Sequence, residues 1–136
     1  MPRIEKKSKI KASDSTIFGI LENEMNMAKW NIVVNEVTEI GHEKYFLKTN
    51  VGDVTSTRVE HVPNEKISAT QEGSPMTALG YILTPKEDLI EVTLWAEFDD
   101  PDQEGMLGIA GEIFLKSLKK YAVYLESGGN PAEFKK

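Results

Sequence analysis

The chain has 136 residues, no cysteine and a formal net charge of −6. That length supports one domain with its own core, the lack of cysteine excludes disulfides and thiolate chemistry, and the acidic balance argues against nucleic-acid binding, which needs a basic face. No apolar run reaches about 18 residues and the opening MPRIEKKSKI holds no apolar signal segment, so a cytoplasmic protein without membrane insertion is expected.

Ile4, Lys6, Ser8, Ile10 and Ala12 alternate with Glu5, Lys7, Lys9 and Lys11. This predicts a strand with a solvated basic face. Ser13 is a good helix N-cap and Asp14 suits the first turn after it. Ile17, Phe18, Ile20 and Leu21 make the helix amphipathic until about Asn23, and a second short turn over 25–30 delivers Trp30 to its end.

The pattern then changes to period two. It predicts strands over 33–40, 43–50, 54–62, 66–72, 77–84 and 89–98, separated by Gly41-His42, Gly52-Asp53, Pro63-Asn64-Glu65, Gly73-Ser74-Pro75 and Pro85-Lys86-Glu87-Asp88. Such short links imply consecutive antiparallel hairpins.

Turn length sets register, and register decides which side chains face the core. A loop over 85–88 pairs Thr84 with Leu89, which sets Leu83 against Ile90, Tyr81 against Val92 and Leu79 against Leu94 on one apolar face. Trp95 falls on the opposite face over Ala78 and Gly80, either as structural packing or as a subunit contact in a homodimer. Turns at Gly52-Asp53 and over 63–66 place Tyr45, Leu47, Val54, Ser56, Arg58, Glu60, Val62, Ile67, Ala69 and Gln71 inward. An inward Arg58 needs a partner, and Glu60 on the same face supplies one. The alternative is a one-residue bulge that turns both outward and Val59 inward. The register of 33–40 stays open, since both of its parities mix apolar and polar residues.

The last element is a helix over 104–127, roughly 35 Å long at about 1.5 Å per residue. Met106, Ala110, Ile113, Phe114, Ser117, Tyr121 and Leu125 recur at helical spacing, flanked by Leu107, Leu118 and Ala122. Gly108 and Gly111 each cost about 1 kcal/mol relative to alanine, so they need a reason. One reason is close approach to a strand; the other is room for a ligand between helix and sheet. Gly128-Gly129 ends the helix, which gives a single domain over 1–128 and a flexible tail over 129–136.

Motifs for metal or catalytic chemistry are sparse. Asp100, Asp102, Glu104 and Gly105 follow the opening of a calcium loop, but Gly111 stands where a bidentate glutamate is required, so the acids read as the N-terminus of the helix. His42 and His61 lack metal-site spacing, and no nucleophile-elbow, phosphate-loop or dinucleotide signature occurs. No metal and no cofactor are expected, and no catalytic residue is assigned.

The order strand, two short helices, six antiparallel strands and one long helix resembles the helix-grip order. The opening IEKKSKIKASDSTIFGILENEMNMAKWN, with Ala12-Ser13, Phe18 and Trp30, resembles the polyketide cyclase/dehydrase and lipid-transport families of the SRPBCC, START-like superfamily. EVTLWAEFDDP followed by LKSLKKYAVYLES resembles the close of the same superfamily. Asp14 stands where these families often carry proline. The resemblance implies an α+β fold, a curved sheet of about seven strands around the C-terminal helix, with a cavity between them. It also implies a lipid, quinone, polyketide or similar apolar ligand. The expected site comprises Trp30, Tyr45, Arg58, Gln71, Tyr81, Leu94, Leu107, Gly111 and Phe114, with Arg58 meeting an anionic or carbonyl end of the ligand. An enzyme of the cyclase or hydrolase type would use Arg58, Tyr81 or Glu60 in the same cavity. A protein–protein module with a filled core and Trp95 as contact is the third reading.

Overall fold

Alternating side chains and short turns produce seven strands in the computed structural model, which describes residues 2–50 and 52–136. The order is β1 (Arg3–Ile10), α1 (Asp14–Glu22), a 3-10 turn (Glu24–Asn26), α2 (Met27–Trp30), β2 (Val34–Gly41), β3 (Lys44–Thr49), β4 (Gly52–Val62), β5 (Lys66–Glu72), β6 (Met76–Lys86) and β7 (Leu89–Phe98). A 3-10 turn (Pro101–Gln103), α3 (Glu104–Glu126) and a last 3-10 turn (Pro131–Glu133) follow. The strands form one antiparallel sheet in the order β1-β7-β6-β5-β4-β3-β2. Six strands meander, and β1 closes onto β7. With α3 laid across it, this is the α+β helix-grip architecture.

Local chemistry sets the boundaries. Ser13 caps α1 by accepting from the Thr16 N–H at 3.2 Å. Asp100 caps the turn before α3 through the Asp102 N–H at 3.0 Å, not α3 itself. Gly128 ends α3 at φ +91°, a left-handed conformation that favours glycine.

Two registers differ from expectation by an even number of residues. The β6–β7 turn is Glu87-Asp88 alone, with Lys86 opposite Leu89, so Tyr81 pairs with Leu94 and Leu83 with Val92. The β3–β4 turn lies between Thr49 and Gly52, so Tyr45 pairs with Ser56 and Leu47 with Val54. Even shifts preserve the face, and Tyr45, Leu47, Tyr81 and Val92 are all buried. On the convex face Gly80 sits directly under Trp95. A Cβ there would lie 2.6 Å from two ring atoms, so only glycine fits. The Arg3 guanidinium lies over that indole, 4.7 Å from its centroid.

An odd shift does change a face. Bulged pairing between Arg58 and Glu60 keeps Arg58 inward but leaves Val59 at 62% exposed. Glu60 turns outward and pairs with Lys66 at 3.4 Å, so it is not the partner of Arg58. His61 bonds Glu22 at 3.0 Å and meets the Phe18 ring edge-on.

The buried stripe of α3 runs through Leu107, Gly111, Leu115, Leu118, Tyr121 and Ala122. It is rotated from the expected one, because Met106 is about half exposed. At Gly108 and Gly111 a Cβ would meet side chains at ordinary van der Waals distance rather than open space. A Cβ on Gly108 would meet the Lys6 stem at 3.4 Å, and one on Gly111 would meet Leu94 Cδ2 at 3.4 Å and Lys6 Cγ at 3.5 Å. The helix thus lies tight on β1 and β7. Residues 129–136, expected to be loose, fold back instead. Phe134 packs on Tyr121 and Tyr124 at centroid distances of 4.6 and 5.0 Å. Lys136 Nζ donates to the carbonyls of Ala28, Asn31 and Val34 at 2.6, 3.1 and 2.9 Å.

Candidate functional site

Because α3 lies on β1 and β7, it leaves the concave face of β3, β4 and β5 uncovered, and α1 reaches β4 and β5 at Glu22 and Phe18. Tyr45, Leu47 and Val54 form a small apolar cluster there, separate from the main core. Between that cluster and the first half of α3 lies a cavity of about 460 Å³. Pockets for small molecules span roughly 300–1,000 Å³. The floor is Leu47, Val54, Ile67, Ala69, Leu79 and Tyr81 of the sheet; the roof is Leu107, Ala110, Ile113 and Phe114 of α3. Met27, Trp30 and Val34 close one side. Met106 and Ile109 belong to the wall and are also 51% and 61% exposed, so they mark where the cavity meets solvent.

The polar groups are few and concentrated. Glu24 enters the wall from the 3-10 turn after α1. Its Oε1 lies 3.6 Å from the Arg58 guanidinium, and the two side chains are only 10% and 8% exposed. Arg58 also donates to the Glu22 carbonyl at 2.7 Å. Three buried polar atoms have no hydrogen-bond partner among the described residues: Glu24 Oε2, Trp30 Nε1 and Arg58 Nε. Burial pushes the Glu24 carboxyl above its ordinary value, while the charge and hydrogen bond of Arg58 pull it back. Burial also raises the Tyr81 phenol, with the Glu24 charge adding to it, so Tyr81 remains a neutral hydroxyl. Ser56, Ser68 and Gln71 complete the polar lining from β4 and β5.

Of the residues expected at the site, the structure brings Trp30, Gln71, Tyr81, Leu107 and Phe114 to the cavity wall. It places four elsewhere. Leu94 and Gly111 are pressed together beneath α3. Tyr45 packs beside Leu47 and Val54, behind the wall. Arg58 stands behind Glu24 and is occupied by it, so it does not present a free guanidinium to the cavity. Sequence reasoning missed Glu24. Its signal was available: Ile17, Leu21 and Glu24 follow i, i+4, i+7 spacing, which continues the buried face of α1 into the next turn.

Among the described residues no group of three or more acidic, histidine or cysteine side chains is placed to hold a metal ion. No helix among them is long and apolar enough to cross a membrane.

These features define the fold class: an α+β helix-grip fold with a cavity under the long helix. Solved structures agree. The chain superposes on a START superfamily protein from Mycobacterium smegmatis with a TM-score of 0.75 at 16% identity, covering 90% of this chain and 98% of that one. The match to the Zhui aromatase/cyclase from a Streptomyces species has a TM-score of 0.77 at 15% identity, over 95% and 99% of the two chains. The Aha1 dimer from Colwellia psychrerythraea gives 0.71 at 21% identity, over 96% and 100%. At the level of sequence no family model matches the chain, and no curated protein matches it significantly.

Proposed function

We propose that the protein binds one small, largely apolar molecule in the cavity between α3 and the sheet. The observation that carries this is the cavity itself, about 460 Å³ with walls dominated by leucine, isoleucine, valine and phenylalanine side chains and an opening at Met106 and Ile109. A void of that size inside a domain is otherwise costly, because its lining lacks dispersion contacts. Extraction of the purified protein followed by mass spectrometry of the released small molecules tests the reading. A co-purifying lipid, quinone, polyketide or similar compound near one equivalent supports it. Protein that carries none, and takes up none when such compounds are offered, opposes it.

A second reading, an enzyme of the cyclase or hydrolase type, draws support from one observation. Glu24 is a buried carboxyl in the cavity wall with one unpartnered oxygen and an upward-shifted pKa, the setting of a proton-transfer group. Turnover of a bound compound that Glu24→Gln abolishes would favour it over simple binding. A homodimer built on Trp95, a ring that lies over Gly80 and near Arg3 and is only partly buried, is a further reading. Sedimentation at micromolar concentration decides it: a monomer mass removes the homodimer, and twice that mass supports it.

A further inference from the structure

Resting on the reading of the cavity as a ligand site, we infer that residues 129–136 form a strap that latches one wall of the cavity, so that undocking the strap speeds exchange of the molecule held there. The wall is the segment over 27–34, which supplies Met27, Trp30, Asn31, Val33 and Val34 to the cavity. It has little regular structure of its own. α2 is a single turn of four residues, too short to be stable unaided. Its carbonyls find no partners further along a helix. The Met27 carbonyl accepts from the Asn31 N–H at 2.9 Å, and the Ala28 carbonyl is taken by the strap.

The strap has two anchors. The first is aromatic and sits on α3. Tyr124 Oη donates to the Asn130 carbonyl at 2.7 Å, which holds the chain as it turns back after Gly128. Phe134 then packs on Tyr121 and Tyr124 at centroid distances of 4.6 and 5.0 Å, with Lys120 Nζ 5.7 Å from its ring centre. Tyr121 belongs to the buried stripe of α3, so this anchor is fixed to the core. The second anchor is polar. Lys136 Nζ donates to the carbonyls of Ala28, Asn31 and Val34 at 2.6, 3.1 and 2.9 Å. An ammonium has three N–H donors, and three carbonyls, from α2 to the first residue of β2, converge on this one. Hydrogen bonds from a charged donor are about twice as strong as neutral ones. The strap therefore gathers the wall segment at one point and ties it to α3. Because α3 is the roof of the cavity and 27–34 is its side, a local opening between them is what the strap resists.

The test measures association and release of the neutral fluorescent probe phenylnaphthylamine by stopped flow in the unmodified chain, Lys136→Met and Phe134→Ala. Lys136→Met keeps an apolar stem and removes the donors. Opening of a latched wall precedes both entry and escape, so both rates should rise together, by about tenfold for the loss of hydrogen bonds from a charged group. Kd should stay within about threefold, since the closed state still dominates. Phe134→Ala acts at the other anchor and should move both rates in the same sense. Hydrogen exchange of the amides over 27–34, which needs no probe, should quicken by a similar factor in Lys136→Met while those of β6 and β7 stay unchanged. Unchanged rates in both variants would route exchange through the mouth at Met106 and Ile109 alone. Weaker binding at an unchanged association rate would make the strap a static part of the wall. Either result overturns the inference and leaves the cavity reading standing. Failure of the probe to bind the unmodified chain would oppose the cavity reading and remove the exchange role with it. Unchanged hydrogen exchange over 27–34 in Lys136→Met would overturn the latch itself, whatever the probe does.

Discussion

Replacing Arg58 with methionine isolates the buried Glu24 carboxylate. The two side chains are 8% and 10% exposed and stand 3.6 Å apart, so neither can fall back on bulk water. Removing one member of a buried pair costs about 3–5 kcal/mol, most of it the penalty of the charge left behind. Replacing both with apolar groups of similar volume is close to neutral. Arg58→Met should therefore lower Tm by roughly 10–20 °C, at about 4 °C per kcal/mol for a chain of this length. Glu24→Met/Arg58→Met should recover most of that loss. The pH dependence has a fixed sign. Without Arg58 only burial acts on Glu24, so its folded-state pKa rises further above 4.5. Stability of Arg58→Met is then greatest below the ordinary carboxyl range and is lost as pH rises through the raised value. Thermal unfolding followed by circular dichroism at mildly acidic and neutral pH measures both effects. An Arg58→Met variant with unchanged Tm, or a double variant that shows the simple sum of the two single losses, would refute the buried-pair account.

Three further outcomes follow from packing. Gly111→Leu should overpack the contact with Leu94 and Lys6 and cost about 1–3 kcal/mol, while phenylnaphthylamine binding persists; a stable variant with abolished probe binding would place Gly111 in the cavity instead. Gly80→Ala should destabilise by a similar amount, because its Cβ meets the Trp95 indole at 2.6 Å, and the tryptophan emission should shift as the ring moves. Phe134→Ala should free residues 129–136, which limited proteolysis reads as faster C-terminal clipping; equal clipping of the unmodified chain would show the tail undocked there too.

Much of the fold was legible because its signals are periodic. The alternation from β2 to β7, the N-cap at Ser13 and the glycine stop at Gly128 all act within a few residues of where they are read. Turn lengths at Glu87-Asp88 and after Thr49 were misjudged, yet the error was even in both cases and the faces survived. The bulge after Arg58 is different. It depends on how β4 meets β5 at one point, and no local pattern in Arg58-Val59-Glu60 announces it. The partner of Arg58 was missed for a related reason: Glu24 is distant in sequence and reaches the arginine only once the segment after α1 has folded over the sheet. Gly108 and Gly111 admitted two readings in sequence, and the structure sets Lys6 and Leu94 side chains at contact distance against them. The packing of α3 on one side of the sheet leaves the open concavity on the other, and the cavity there is lined by Trp30, Gln71, Tyr81, Leu107 and Phe114, which were suspected, and by Glu24, which was not.

The central claim, a cavity that takes up one apolar molecule, is tested most directly by the stoichiometry of phenylnaphthylamine binding to the unmodified chain and to Ala110→Trp. Ala110 lies in the α3 wall, where an indole would take space that the probe needs. The account predicts one bound probe per unmodified chain and none per Ala110→Trp chain, with Tm of the variant maintained. Equal binding by both proteins, or no binding by either, would contradict it.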